Sequence, residues 1–239
     1  MRKFSLKLLA AALISAGPIN AEPSCADLAL VLAIDSSSSI DEDEFRMQVL
    51  GYAAAFADPK VVRALRDAGT VDVASVFWAD SSGPLMVTKW MRVSSDADAQ
   101  ALVDTFLIFQ RSAFGDTDLG AGLMAALSLF DMPNQCSARK VVNVSGDGRA
   151  SIGNRRTANT SVAEARARAD TMGVTVNGLA IVNAEPKLAE YYRTKVITGP
   201  GAFVMEVRDF PAFGAAIVRK LEREIRPQLL TLLGPHPRL

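Results

Sequence analysis

An apolar run that ends in one carboxylate and two hydroxyls is the feature that most constrains this chain. Residues 28–34, Leu-Ala-Leu-Val-Leu-Ala-Ile, carry no polar side chain and lead directly into Asp35-x-Ser37-x-Ser39. A short apolar segment bounded by polar residues is typical of a strand that is buried on both faces. Divalent cations such as Mg²⁺ prefer oxygen ligands, so the end of this strand supplies half of a cation site.

The rest of the sequence alternates strand patterns with helix patterns. This alternation predicts an α/β fold, a doubly wound, Rossmann-like, mostly parallel six-stranded sheet flanked by helices. In such folds ligands bind beyond the carboxyl ends of the strands, where the strand order reverses. The predicted strands are 27–34, 71–78, 85–90, 140–145, 174–181 and 202–207, and the predicted helices are 41–57, 96–109, 118–130, 157–172, 186–194 and 209–226.

Two later segments supply the other half of the cation site. Gly115-Asp-Thr-Asp-Leu-Gly120 opens a predicted helix, and a predicted strand runs into Gly146-Asp-Gly148. With the first motif, these segments resemble the von Willebrand factor type A domain and its metal-ion-dependent adhesion site. The resemblance implies direct coordination by the two serines and the threonine, with the aspartates acting directly or through water, and it implies Mg²⁺ or Mn²⁺ as the ion. The implied metal positions are Asp35, Ser37, Ser39, Thr117 and Asp147.

The resemblance extends to a group of exported bacterial type A domains of unknown function. It rests on Val-Ser-Gly-Asp147-Gly and on the stretch from Tyr191-Tyr192-Arg to Ala-Phe203. The wider resemblance to the von Willebrand factor type A domain implies that a Glu or Asp carboxylate of a protein ligand completes the metal shell, as in an adhesion or assembly module. Candidate residues at the rim of the ligand site are Trp78, Phe114 and Asp116; core packing is the alternative for the two aromatic residues. For Asp116 and its neighbour Asp118 the alternatives are tuning the local charge and capping the following helix.

The two cysteines have matching positions relative to the two aspartates. Cys25 lies ten residues before Asp35, and Cys136 lies eleven before Asp147. If both aspartates reach one ion from adjacent parallel strands, equal rises per residue bring the cysteines to the same level at the other end of the sheet. We therefore predict a disulfide between Cys25 and Cys136, with two free buried thiols as the alternative.

The amino terminus has the pattern of a secretory signal peptide. Residues 1–21 combine a basic start, an apolar stretch of about nine residues and a small residue at the expected cleavage point. That stretch is too short to span a membrane, which takes ~20 residues. We predict a signal peptide at 1–21, a type A domain at 22–227 and a carboxyl-terminal tail at 228–239, in a periplasmic or secreted protein with no membrane span after cleavage.

Charge and residue content limit the other function classes. The chain has 26 basic and 26 acidic residues, and the loss of residues 1–21 would leave a net charge of −3, which argues against nucleic-acid binding. Its single histidine, His236, lies in the tail, so neither a Ser-His-Asp arrangement nor a His-containing zinc site is expected. We predict a protein that is not an enzyme; the alternatives are a metal-dependent hydrolase and a structural domain stabilised by its metal.

Overall fold

A sheet centred on one fully apolar strand organises the molecule. The computed structural model describes residues 24–80, 85–151 and 161–226. The predicted signal peptide and tail lie outside these residues, as does the first part of the helix predicted from residue 157. Within them, strand β1 is buried at every position except Asp27.

The strand order reverses at β1, which has a parallel neighbour on each side. The sheet runs in the order β3-β2-β1-β5-β6-β7, and β4 also pairs with β2. Only β3 and β4 run antiparallel. The mostly parallel α/β class is therefore confirmed. The strands are β1 (Ala26–Asp35), β2 (Val71–Trp78), β3 (Met86–Val87), β4 (Met91–Val93), β5 (Ser137–Gly146), β6 (Thr175–Ile181) and β7 (Val204–Val207).

Helices cover both faces of the sheet. Helices α1, α2, α3 and α7 pack on one face, and α4, α5 and α6 pack on the other. None of the described helices is long and apolar enough to cross a membrane. They are α1 (Glu42–Ala57), α2 (Pro59–Ala68), α3 (Asp96–Leu107), α4 (Leu119–Ser128), α5 (Val162–Thr171), α6 (Leu188–Tyr191) and α7 (Phe213–Ile225), with 3₁₀ turns at Leu129–Asp131 and Phe210–Ala212 and a π turn at Tyr192–Val196.

The prediction of six strands was wrong by one: the strand expected at 85–90 is the two-residue β3, and a further short strand, β4, follows at Met91–Val93, just outside the predicted range. Both β3 and β4 pair with β2, and the ladder is interrupted between them at Thr88. There the backbone N–H of Ser75 donates to the Thr88 hydroxyl, at 2.8 Å, instead of to a carbonyl. A side chain that competes for a backbone donor in this way breaks the strand.

Helix α2 was not predicted, although the residues at its two ends are typical helix boundaries. Asp58 accepts a hydrogen bond from the backbone N–H of Lys60, and Pro59 occupies the first helical position. Gly69 ends the helix with a φ of 89°. These are the residues that normally start and stop a helix, so Asp-Pro and Ala-Gly bound a helix here rather than a loop.

The predicted disulfide is confirmed. Cys25 and Cys136 are bonded, with a sequence separation of 111 residues. They precede β1 and β5, and the backbone N–H of Ala26 donates to the carbonyl of Cys136. The bond therefore joins the amino ends of the two strands whose carboxyl ends carry Asp35 and Asp147, and in the chain-entropy model so long a loop contributes up to ~5 kcal/mol.

Candidate metal centre

The first aspartate lies at the carboxyl end of β1, where the strand turns sharply toward α1. Asp35 is fully buried, and its Oδ1 accepts the backbone N–H of Ser37 at 2.8 Å. Its backbone carbonyl accepts a hydrogen bond from the side chain of Gln48, on α1, at 3.1 Å. Helix α1 then begins with Asp41 and Glu44 in a reciprocal capping box. The turn is thus fixed by three sets of hydrogen bonds: that of Asp35 at the end of the strand, the capping box at the start of α1, and that of Gln48 within α1.

A chain of hydroxyl contacts links the predicted metal positions across three segments. Thr117 Oγ1 lies 3.2 Å from Ser37 Oγ, which lies 3.1 Å from Ser39 Oγ. The Ser39 hydroxyl in turn donates to Asp147 Oδ1 at 2.7 Å. Together with Asp35, which holds the Ser37 backbone, all five predicted positions lie together at the carboxyl edge of the sheet.

Thr117 is placed by contacts on both sides of its backbone. Its N–H donates to the Ser151 hydroxyl at 3.2 Å, and its carbonyl accepts the Ser151 N–H at 2.9 Å. The next residue, Asp118, caps α4 by accepting the N–H of Ala121 at 3.0 Å. Capping, one of the two alternatives for Asp118, is therefore the role that the structure shows.

The electrostatics of the site are those of two carboxylates enclosed together. Burial, with the charge of Asp147 as the second cause, raises the pKa of Asp35 to about 7. Burial also raises the pKa of Asp147, which is 3% exposed. Asp35 Oδ2 has no hydrogen-bond partner among the described residues. Among the described residues, no Lys or Arg side chain forms an ion pair with either carboxylate, and one acceptor oxygen is unpaired.

Arg111 is a residue of this edge that the sequence pattern did not indicate. Its side chain is 6% exposed and donates to the backbone carbonyls of Ser36 and Ser37, at 2.9 and 2.8 Å. Its guanidinium also lies 4.7 Å from the ring centre of Phe114. Arg111 lowers the pKa of Asp35, but this is the smallest of the causes that act on it. These two hydrogen bonds of Arg111 hold the loop and do not go to Asp35 or Asp147.

The three candidate rim residues have different environments. Trp78 is fully buried, and a Cβ on Gly122 would meet its ring at 2.4 Å, so the ring packs in the core against α4. Its assignment to the ligand rim was therefore wrong, and core packing is the correct alternative. Phe114 is 54% exposed, and Asp116 is exposed beside Thr117. These two side chains are accessible from solvent next to the hydroxyl chain.

The donor set fits a hard divalent cation. The described residues contain no group of three or more His, Cys, Asp or Glu side chains able to hold a metal, so any ion at this edge must use hydroxyls together with the two carboxylates. Oxygen donors of this kind suit Mg²⁺ or Mn²⁺ and disfavour a softer ion that requires Cys or His. The unpaired Asp35 Oδ2 and the two elevated carboxyl pKa values are the features that a bound cation would relieve.

The fold is similar to that of solved von Willebrand factor type A domains and of related structures. The open conformation of the pilus adhesin SpaC from Lactobacillus rhamnosus GG has a TM-score of 0.60 at 13% identity, covering 85% of this chain and 30% of that one. The vWF domain of the type V pili tip protein Mfa5 from Porphyromonas gingivalis has a TM-score of 0.55 at 10% identity, covering 87% and 99%. Proximal thread matrix protein 1 from the mussel byssus, with a zinc-occupied MIDAS motif, has a TM-score of 0.54 at 17% identity, covering 84% and 46%.

The sequence itself places the chain in a defined family. Residues 24–229 match the family described as "Protein of unknown function (DUF1194)", and the chain belongs to this family. No curated protein matches the sequence. The chain spans about a third of the length of the pilus adhesin to which its fold is similar.

Proposed function

We propose that this protein is an exported adhesion or assembly module that binds Mg²⁺ or Mn²⁺ and, through the ion, an acidic residue of a protein ligand. The observation that carries the proposal is the meeting of five oxygen-bearing side chains at one edge of the sheet, with one buried carboxylate oxygen left unpaired. The residues proposed to hold the ion are Asp35, Ser37, Ser39, Thr117 and Asp147.

The charge balance of these residues supports a carboxylate ligand. Three of the five donors are neutral hydroxyls, so two carboxylates would only just neutralise a divalent ion. When bound, the cation supplies an open coordination position that attracts a further negative oxygen. The side chains of Phe114 and Asp116 are exposed in the segment that carries Thr117, so both are accessible to a ligand that approaches this edge.

Export is supported by two independent features. The Cys25–Cys136 disulfide is a bond that forms and persists in oxidising compartments. Residues 1–21 have the basic and apolar pattern of a signal peptide, for which we propose cleavage after Ala21 and a periplasmic or secreted product. Similarity of fold to pilus proteins and to a byssus protein is consistent with a binding or assembly role.

Calorimetric titration of the EDTA-stripped protein with Mg²⁺ and with Mn²⁺ tests the metal part of the proposal. We expect one saturable site in the wild type and none in Asp35→Ala. The matched control is Asp104→Ala, which removes an exposed carboxylate on α3, a helix that carries none of the five positions, and should leave binding within a few-fold of wild type. Absence of binding in the wild type, or equal binding in both variants, would contradict the assignment.

Ligand capture tests the partner part of the proposal separately. The immobilised protein, incubated with a periplasmic extract in Mg²⁺ and then in EDTA, should retain a protein only when both the ion and Asp35 are present. If metal binds but nothing is captured, and Asp35→Ala chiefly lowers the melting temperature, the domain is structural. Metal-dependent phosphoester hydrolysis that is lost in Asp35→Ala would instead favour an enzyme.

A further inference from the structure

Two buried polar atoms without partners face the same small space behind the candidate metal centre. Asp35 Oδ2 and the Tyr192 hydroxyl are both fully buried, and neither has a hydrogen-bond partner among the described residues. A Cβ built on Gly146 would lie 2.7 Å from Asp35 Oδ2 and 2.9 Å from the Tyr192 oxygen. Buried polar atoms in folded proteins are rarely left unpaired, so two orphans at one point indicate a shared role.

Two glycines create the space through which the Tyr192 ring reaches this point. On β6, a Cβ on Gly178 would lie 2.7 Å from Cδ1 of the ring, and on β5 a Cβ on Gly146 would meet the hydroxyl. Gly178 pairs in register with Val144, two residues before Gly146, so both glycines lie on the same face of the sheet. The ring therefore lies in a slot on the face of the sheet, above the backbones of Gly146 and Gly178, and any side chain at either glycine would displace it.

The backbone of Tyr192 is also unusual. Tyr192 begins the π turn Tyr192–Val196, and its carbonyl accepts the N–H of Ile197 at 3.0 Å. Turns of this kind are rare and often occur at functional sites, where they re-aim a side chain. The ring itself packs among apolar residues of the α4–α5–α6 face. Phenylalanine would satisfy that packing, so the hydroxyl needs an explanation other than the core.

We propose that Tyr192 is a positioning residue of the cation site, whose hydroxyl donates a hydrogen bond to Asp35 Oδ2, directly or through one water. The proposal rests on the proposed metal function. The Ser37 N–H holds Oδ1 of the same carboxylate, so the two donors fix its orientation from both sides. Each carboxylate oxygen keeps a second lone pair, which leaves Asp35 able to face the ion or its waters.

The test compares two buried tyrosines that lose the same atom. Tyr192→Phe removes the hydroxyl behind Asp35. Tyr52→Phe removes a hydroxyl that is equally buried but lies on the opposite face of the sheet, near Ser145 and Asn143 at 3.3 and 3.4 Å. Outer hydrogen bonds to metal ligands typically change metal affinity by 10- to 100-fold. We expect Tyr192→Phe to weaken Mg²⁺ binding at least tenfold by calorimetry, and Tyr52→Phe to stay within twofold of wild type.

Melting temperatures in EDTA separate positioning from stability. Tyr52→Phe loses hydrogen bonds, so its melting temperature should be equal to or lower than that of Tyr192→Phe. Tyr192→Phe would then have the larger loss of Mg²⁺ affinity without being the less stable variant. Wild-type binding with unchanged affinity in Tyr192→Phe would overturn the role of Tyr192 and leave the proposed function intact. No Mg²⁺ binding by the wild type would overturn both.

Discussion

Two buried polar clusters among the described residues differ in how their charges are balanced. In α7, Lys220 and Glu224 form an ion pair with no exposed side-chain surface, the Nζ lying 2.6 Å from Oε1. The other Glu224 oxygen accepts from Asn143 at 2.7 Å, and Lys220 also donates to the Asn177 carbonyl at 3.3 Å. At the candidate metal centre, Asp35 and Asp147 are enclosed together, and Asp35 keeps an unpaired oxygen.

Both clusters bear the cost of removing charge from water, but only one is internally compensated. Burial lowers the pKa of Lys220 to about 8 and raises that of Glu224, while each partner's charge acts in the opposite direction. At the metal centre the second carboxylate adds to the effect of burial instead of opposing it. In the α7 cluster the fold supplies a counter-charge, Lys220, to the buried carboxylate. Beside Asp35 it supplies no counter-charge of equal strength, so an external cation is needed there and not in α7.

Breaking the balanced cluster should have the largest effect on stability. Glu224→Ala leaves Lys220 and Asn143 without their partner in a dry environment, which we expect to cost about 3 to 5 kcal/mol of unfolding free energy. The double variant Lys220→Met/Glu224→Leu should recover much of that loss, because apolar replacement of both members of a buried pair is often tolerated. Urea unfolding measures both.

Metal affinity is the control for this prediction. Calorimetry with Mg²⁺ should give the same affinity in the double variant as in the wild type, because the α7 cluster makes no contact with the hydroxyl chain. A loss of Mg²⁺ binding in the double variant would show that the two clusters are coupled, and their contrast would then no longer be local.

The unbalanced cluster should respond to pH in the metal-free protein. The folded pKa of Asp35 is about 7 against an ordinary value of 3.8, so between these values the folded state binds more protons than the unfolded state. Stability therefore falls as pH rises, by on the order of 3 kcal/mol between pH 5 and pH 7.5. Above this window Lys220 begins to lose its proton in the folded state, so the comparison ends there.

Urea unfolding in EDTA at pH 5 and pH 7.5 measures this slope. Asp35→Asn should flatten it, because the titrating group is gone. Added Mg²⁺ should raise wild-type stability more at pH 7.5, where the carboxylates are charged, than at pH 5. A wild-type slope that Asp35→Asn leaves unchanged would assign the pH dependence to other groups, among them Asp147 and Glu224.

The sequence predicted that the five candidate positions lie together, but it did not predict the residues that support them, because the two depend on different information. Asp35, Ser37 and Ser39 follow an apolar strand, and parallel strands bring their carboxyl ends to one edge, so local pattern and topology suffice. Arg111 holds the Ser36 and Ser37 carbonyls from about 75 positions away. A contact between residues so far apart in the chain follows from no periodicity or spacing in the sequence, so it cannot be predicted without the folded structure.

The same reasoning explains the errors in the fold and in the side-chain environments. Asp58-Pro59 is equally compatible with a turn and with a helix start, and only tertiary packing selects helix α2. Lys220 and Glu224 have the i,i+4 spacing of a solvent-exposed pair, yet α7 buries both against the sheet. Tyr192 was noted only as part of a family pattern, because the slot above Gly146 and Gly178 exists only once β5 and β6 pair.

A buried carboxylate outside the two clusters, that of Asp118, tests the contrast between them and gives the smallest predicted effect. Asp118 is 5% exposed and its Oδ2 has no partner, as in Asp35, but its other oxygen caps α4, whose amino terminus favours negative charge. Asp118→Ala should therefore cost about 1 kcal/mol, and Asp118→Asn, which retains a capping oxygen, only a few tenths. Both should bind Mg²⁺ within about threefold of wild type by calorimetry. Asp35→Ala is expected to abolish Mg²⁺ binding. If Asp118→Asn abolished it too, Asp118 would belong to the metal centre. The amino terminus of α4 would then not be sufficient to balance a buried carboxylate at this edge.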